Sequence, residues 1–511
     1  MPALIIHGHF YQPPRENPWT GIVEVEPSAT PFHDWNERIH SECYYPNSSA
    51  AIMDPEMGEN RIVNNYANIS FNFGPTLLSW LESKHSDTYA GIIAADRESA
   101  LKRAGHGNAI AQAYGHAILP LCNARDRQTQ IDWGVADFRY RFGRDPEAMW
   151  LPETACNDEV MSALIDAGLR FVILAPHQAA SVRAIGKTEW HEVNEQTIDP
   201  SVAYRYSHRD GSGRAISVFF YEGPTSRAIA FENLLRSSRE LVERFAQTAH
   251  DSELVNIATD GETYGHHFKF GDICLAYALK VEAPARGFQI TNYGEYLDHH
   301  PPTSEVEINS GAGGEGTSWS CLHGVDRWIR DCGCHTGGGP GWNQRWRTPL
   351  REALDFLRDE NAAHFTATRG NLFLDPWQAR DDSIELILDP HGSREAFLHD
   401  HAGRWLSADE QWRALTYLEL QRMLLLMYTS CGWFFYDISG IETIQILKYA
   451  GRAIDLMEQL GLPSVSERFL EILAEAKSNL TALGSGADIY RRLVEPLKIN
   501  QVDEGVLTTR N

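Results

Sequence analysis

Long apolar runs are missing from this chain. No stretch of about 18 uninterrupted apolar residues occurs anywhere in its 511 residues, which excludes an ordinary membrane-spanning helix. No charged segment followed by an apolar core precedes the first strand-like run, which begins at Ala3. No secretory leader is therefore expected, and a cytoplasmic location is. Basic charge is scarce: 45 Lys and Arg stand against 69 Asp and Glu, a formal charge of −24. Phosphate backbones and anionic bilayers recruit Lys and Arg, so neither nucleic acid nor a membrane surface is an expected partner. There is no internal repeat, and nothing sets an oligomeric state.

Paired cysteines are also few. Cys43, Cys122, Cys156, Cys274 and Cys431 stand singly, as in a reducing compartment. The exception is Cys332-Gly333-Cys334-His335, with Cys321 upstream. These are zinc-type donors, yet C-x-C-H lacks the gap of two to four residues usual between zinc thiolates. Reduced thiols in a glycine-rich loop are expected, with no metal and no cofactor.

What is present reads as a globular protein too long for a single ordinary core, 43% apolar and 22% charged. It carries 14 Trp, several beside polar residues, as in Asp34-Trp35-Asn36 and Trp342-Asn343. Such rings suit flat, hydroxyl-rich ligands, although core packing accounts equally well for any one of them. Strand-like runs occur at 3–6, 69–73, 148–151, 171–174, 216–220, 254–259 and 289–291, with helical patterns between them. One of these, "NDEVMSALIDAGL", has an Asn cap, early acids and a Gly stop at Gly168. Alternating strands and helices predict an α/β fold with a parallel sheet, in which chemistry gathers beyond the carboxyl ends of the strands.

Five of those strands end in polar groups: His7 and His9; Asn72; Glu153; His177 and Gln178; Asp260 and Glu262. Residues 308–345 are rich in Gly and Trp and read as loop. Beyond Thr348 the pattern is helical, with Trp412, Leu415, Leu420, Met423, Leu424 and Met427 at roughly helical spacing. Ser439-Gly-Ile-Glu442 reads as a capping box opening a helix that Gly461 and Pro463 close.

Two carboxylates from two strand ends, in a site lined by His and Trp, meet the needs of glycoside hydrolysis, where one acid is ionised and the other holds a proton. The competing reading is a metal-dependent deacetylase or α-mannosidase-like hydrolase, with His7, His9, Asp260, His266 and His267 as ligands. No H-x-x-x-H or H-E-x-x-H spacing supports it. A catalytically silent glucan-binding protein is the third.

Several motifs carry a family resemblance. They are His9-Phe10-Tyr11-Gln12-Pro13, "YGHAILPL" with His116, Trp150-Leu151-Pro152-Glu153, Asp260-Gly261-Glu262-x-x-Gly265, "GTSWSCLHGVDRWI" and "MYTSCGWFFYDISG". The chain resembles glycoside hydrolase family 57, with Tyr11 where the family usually has a second His. The resemblance implies an incomplete (β/α)7 barrel over 1–307, a crossover loop over 308–345 and a helical domain over 346–511 closing the cleft. It implies Glu153 as nucleophile, Asp260 as acid/base, no metal, and an oligo- or polysaccharide substrate, mostly an α-glucan, handled by a retaining hydrolase or transglycosylase. It also implies that His9, Gln12, His116, Trp150, His266, Trp342, Trp433 and Asp437 bind substrate, with Trp346 a further candidate platform.

Overall fold

The structure is a computed structural model that describes residues 1–53, 58–249 and 253–498. It divides into two compact units. The first comprises 1–12, 25–114 and 138–319. The second comprises 13–24, 115–137 and the chain from Ser320 on. The second unit thus includes two short early segments as well as the C-terminal half, and one boundary falls inside the helix Ala124–Phe142.

Seven parallel strands organise the first unit: β1 (Ala3–Phe10), β2 (Ser70–Phe73), β3 (Ala111–Gln112), β4 (Met149–Trp150), β5 (Phe171–Leu174), β6 (Ala215–Phe220) and β7 (Leu254–Asp260). β1 lies between β7 and β2. A parallel bridge from Phe71 to Ala109 leads on to β3, which pairs with β4. A bridge from Ala148 to Phe171 leads to β5, which pairs with β6. No ladder joins β6 to β7 among the described residues, so the barrel is open there, as the expected incomplete (β/α)7 architecture requires. Strands Ala203–Ser207, Ser304–Ile308, Ala179–Ala184 and His191–Glu192 extend the sheet from β6, each antiparallel to the one before except Ser304–Ile308, which runs parallel to Ala203–Ser207.

Six of the seven expected strands are barrel strands. The seventh, Gln289–Ile290, instead pairs with the first two residues of β1. The barrel strand that the sequence pattern does not announce, β3, is an Ala-Gln pair without an apolar run. β1 is longer than expected, so His7 and His9 lie inside it and not beyond its end.

The two-residue period of a strand then explains its sequence. Ala3, Ile5, His7 and His9 share one face. Ala3 and Ile5 pack with Phe171, Ile173, Phe219, Leu254, Ala258 and Tyr293 in a core cluster. His7 and His9 continue that face toward the carboxyl end, where apolar filling gives way to polar groups. Asn157 caps the helix Asp158–Asp166 by accepting the Val160 N–H, and Gly168 beyond its end has φ 76°.

The second unit is mainly helical. Ala408–Leu426 packs on Ile441–Gln459, and Arg347–Thr366 packs on Ser466–Leu473. Trp412 starts the expected apolar face but is exposed; burial begins at Ala414. The expected capping box does not form: Gly440 is the N-cap, and the Ser439 hydroxyl donates to Asp437. None of the eight cysteines is in a disulfide. No helix among the described residues is long and apolar enough to cross a membrane.

Candidate active site

His9 lies in register with Asp260 on one side and with Asn72 on the other. Asn72 holds both strand histidines. Its Oδ1 is 3.0 Å from His7 Nε2, and its Nδ2 is 2.9 Å from His9 Nδ1. The Ser70 hydroxyl lies 3.0 Å from His7 Nδ1. Trp150 stacks on both imidazoles, with ring centroids 4.8 Å from His7 and 5.0 Å from His9. Burial, opposed by the Asn72 hydrogen bond, pushes both histidines down to about 3. At neutral pH they are uncharged imidazoles, fit to exchange hydrogen bonds with hydroxyl groups.

Glu153 follows β4 on a strained turn. Its backbone is left-handed, at φ 59° and ψ 21°, and that of Thr154 is too, at φ 50°. Two successive non-glycine residues in this region cost roughly 1–3 kcal/mol each and persist only when the surroundings enforce them. Here they are enforced. The Thr154 carbonyl accepts from Gln178 Nε2 at 2.9 Å, and the Glu153 carbonyl accepts from the Trp319 N–H at 3.0 Å. Reciprocal backbone bonds between Cys156 and Thr317 zip the segment leading to Trp319 along the turn. The indole Nε1–H of Trp319 then donates to Glu153 Oε2 at 3.0 Å.

Asp260 ends β7, and Gly261 after it is dictated by contact. A Cβ there would lie 2.4 Å from the Phe10 ring. Gly265 has φ 146°, and a Cβ on it would lie 2.3 Å from the Glu42 carbonyl oxygen. Between these glycines Glu262 turns inward and is buried. Its Oε1 accepts from the Tyr44 hydroxyl at 2.7 Å and the Tyr11 backbone N–H at 3.1 Å.

Three carboxyls therefore share one rim. Asp260 remains accessible to solvent, yet enough protein surrounds its carboxyl that dehydration, joined by repulsion from Glu153, pushes it up to about 7. Glu262 is pushed up to about 8 by burial and by the Asp260 charge, against its hydrogen bonds from Tyr44 and Tyr11. Tyr221, edge-on to Trp319 at 6.3 Å, is raised by burial and by Asp260. Burial and mutual repulsion thus let both Asp260 and Glu262 keep a proton to higher pH than a free carboxyl would.

The structure thus gathers Glu153, Asp260, His9 and Trp150 at one end of the barrel. Gln12 is half-buried just after Tyr11. Trp150 is 1% exposed, so it backs the histidines and offers no open face of its own. His266 lies on the same loop as Asp260, with Nδ1 2.5 Å from Glu42 Oε2.

The remaining candidates belong to the second unit. His116 is buried with Nδ1 2.7 Å from the Ser430 hydroxyl. Trp433 and Trp346 are buried, their indole N–H groups donating to the Arg347 carbonyl and to Gln344. Asp437, also buried, accepts from Ser439, Ser478 and the Asn479 N–H. These packed roles leave Trp433 and Trp346 no free ring face and Asp437 no free carboxylate, contrary to the sequence expectation. Trp342 is half-buried against Tyr436. The metal-ligand reading fails on placement: among the described residues, donors of His7, His9, Asp260, His266 and His267 do not gather within 4.8 Å of one another. Trp319 and Glu262 are site groups to which the sequence alone assigns no role, although each stands inside one of the family motifs.

Fold and site together define a class, that of open parallel barrels with carboxylates gathered at the carboxyl end of the strands. Within it the assignment is specific. The sequence profile of glycosyl hydrolase family 57 matches residues 4–309, and the chain belongs to that family. A domain of unknown function, DUF3536, matches residues 342–506.

The 4-alpha-glucanotransferase of Thermococcus litoralis is 21% identical over 259 residues, which are 49% of this chain and 36% of that protein. The match therefore spans about a third of that curated relative's length. Among solved structures, the exo-type maltose-forming amylase of Pyrococcus sp. ST04 superposes with a TM-score of 0.65 at 15% identity, covering 93% of this chain and 82% of the amylase. The GH57-type branching enzyme of Pyrococcus horikoshii gives 0.56 at 15% identity, covering 99% and 98%. At these identities the likeness is one of fold.

Proposed function

We propose that this protein is a retaining α-glycoside hydrolase or transglycosylase acting on α-glucans. The observation that supports this reading is an asymmetry in the surroundings of two acids. Burial and repulsion from Glu153 raise Asp260 to about 7, so it keeps a proton into the neutral range, while Glu153 receives the indole N–H of Trp319. That is the asymmetry a double displacement needs. The choice of an α-glucan rests on the amylase, glucanotransferase and branching enzyme among the relatives.

In the first step a Glu153 carboxylate oxygen attacks the anomeric carbon. The bond to the leaving oxygen breaks, and that oxygen takes the Asp260 proton. A glycosyl ester of Glu153 results. In the second step Asp260, now ionised, takes a proton from water or from an acceptor hydroxyl, whose oxygen displaces Glu153 and restores the configuration. His9, Gln12 and His266 are the proposed partners of sugar hydroxyls, with Trp150 fixing the His9 ring and Trp319 orienting the nucleophile. His116, Trp342, Trp433 and Asp437 have no part in this scheme.

Product analysis after incubation with maltoheptaose tests the proposal. Smaller sugars alone mean hydrolysis, and a ladder in both directions means transfer. No product from maltoheptaose, amylose or glycogen rejects α-glucan action.

A further inference from the structure

We propose that Cys321, His323, Cys332 and Cys334 bind one structural zinc ion. The sequence places them as two short arms, Cys321-Leu322-His323 and Cys332-Gly333-Cys334. Gly333, at φ 79°, lets the second arm turn so tightly that both its sulfurs face the first. All four donor atoms lie within 4.8 Å of one another. Cys321 Sγ is 3.8 Å from Cys332 Sγ, and Cys334 Sγ is 3.5 Å from His323 Nδ1.

These separations are those of a coordination tetrahedron. Zinc–sulfur bonds of about 2.3 Å give a sulfur–sulfur edge of about 3.8 Å, and a zinc–nitrogen bond of about 2.05 Å gives a sulfur–nitrogen edge of about 3.6 Å. A disulfide between Cys321 and Cys332 would need its sulfurs about 2.05 Å apart and would leave the Cys334–His323 contact without a purpose. His335, the histidine adjacent in sequence, is turned away, with Nδ1 2.6 Å from the Gly337 carbonyl oxygen. The C-x-C-H reading therefore named the wrong histidine.

Charge supplies an independent argument. Arg347 is fully buried, with Nη1 4.0 Å from Cys332 Sγ and 2.8 Å from the Cys334 carbonyl oxygen. Among the described residues no carboxylate pairs with it. Zinc with three thiolates and one neutral imidazole carries a net charge of −1, which balances one guanidinium. Binding exchanges the three thiol protons for the metal.

Val325 and Trp328, between the two arms, are buried and anchor the segment. The arms themselves are less enclosed: Leu322 is 95% exposed, and Gly333 supplies no side chain to pack. A metal would join the two arms where apolar packing does not. Soft thiolate and imidazole donors in a closed tetrahedral set select zinc and leave no position open for catalysis.

Metal analysis of the full chain, purified reduced and without chelator, is expected to give one zinc per chain. Exchange with cobalt(II) is expected to give the intense visible bands of a tetrahedral thiolate site. The double substitution Cys332→Ser/Cys334→Ser should abolish both signals, whereas Cys122→Ser and His335→Ala should retain them. Should the double variant not fold, wild-type stoichiometry and the cobalt spectrum still decide. Wild-type protein that takes up no zinc, an octahedral cobalt spectrum, retention of zinc by a folded double variant, or a Cys321–Cys332 disulfide found by mass spectrometry in protein freshly purified under reducing conditions would each overturn the assignment. None of these readouts depends on glycosidase activity.

Discussion

Trp319 holds Glu153 at both ends: its indole N–H reaches the carboxylate and its backbone N–H reaches the carbonyl, each at 3.0 Å. Replacing Trp319 by Phe keeps an aromatic ring and the backbone bond to Glu153 but removes the indole donor. A hydrogen bond to a charged group contributes about 1.5–3 kcal/mol. Trp319→Phe is therefore expected to lower kcat roughly ten- to hundredfold, with the thermal midpoint little changed. Steady-state kinetics on an aryl α-glucoside, beside a melting curve, checks this. Unchanged kcat would remove Trp319 from the machinery.

Glu153→Gln is expected to abolish turnover in a folded protein. It should also alter its neighbour. Glu153 repels the ionised form of Asp260, so neutralising position 153 moves Asp260 down from about 7, although burial keeps it above the usual carboxylate range. Carbon-13 NMR titration of the Asp260 carboxyl in the variant reads this. An unmoved titration would show that the two acids do not interact.

The alkaline limb of kcat/KM should fall near pH 7, because Asp260 must enter the reaction protonated. Asp260→Ala should spare only substrates with good leaving groups. Azide, which needs no proton removed, should rescue those substrates and yield a glycosyl azide of retained configuration. Equal rescue for poor leaving groups would deny Asp260 the acid role, and an inverted product would point to a single displacement.

Glu262 makes a prediction about stability. Its folded pKa, about 8, lies above its unfolded value. Between roughly pH 4.5 and 8 the folded chain thus binds more protons than the unfolded chain, and stability falls as pH rises through that window. Glu262→Gln removes this loss. Each pH unit across the window corresponds to about 1.4 kcal/mol, so the ceiling is on the order of a few kcal/mol. Urea midpoints at pH 5 and pH 9 should show the variant gaining on wild type as pH rises. A difference that stays constant with pH would contradict the assignment.

Much of the barrel is legible in the sequence because its strands are continuous apolar runs between helical patterns, and their polar ends mark the rim. β3 is not legible, since two residues held by their neighbours leave no periodic trace. The partnership of Trp319 with Glu153 is hidden by distance in sequence: nothing in "TSW" names its acceptor 166 residues earlier. Trp433 and Asp437 mislead for a different reason. The motif resemblance nominates them, but packing decides exposure, and both lie in the interior of the helical unit. Adjacency likewise suggests His335 as a metal ligand where the fold presents His323.

The Phe10 ring fills the space that side chains at 8 and 261 would otherwise occupy: a Cβ on Gly8 would lie 2.8 Å from it, and one on Gly261 2.4 Å. Under mutation these three positions form a single epistatic unit. Libraries that vary residues 8 and 261 one at a time will score both as immutable while the Phe10 ring stays. Joint libraries that shrink residue 10 while enlarging residue 261 open a combinatorial route for re-aiming the acid at 260, because that ring couples the opening strand to the acid-bearing loop.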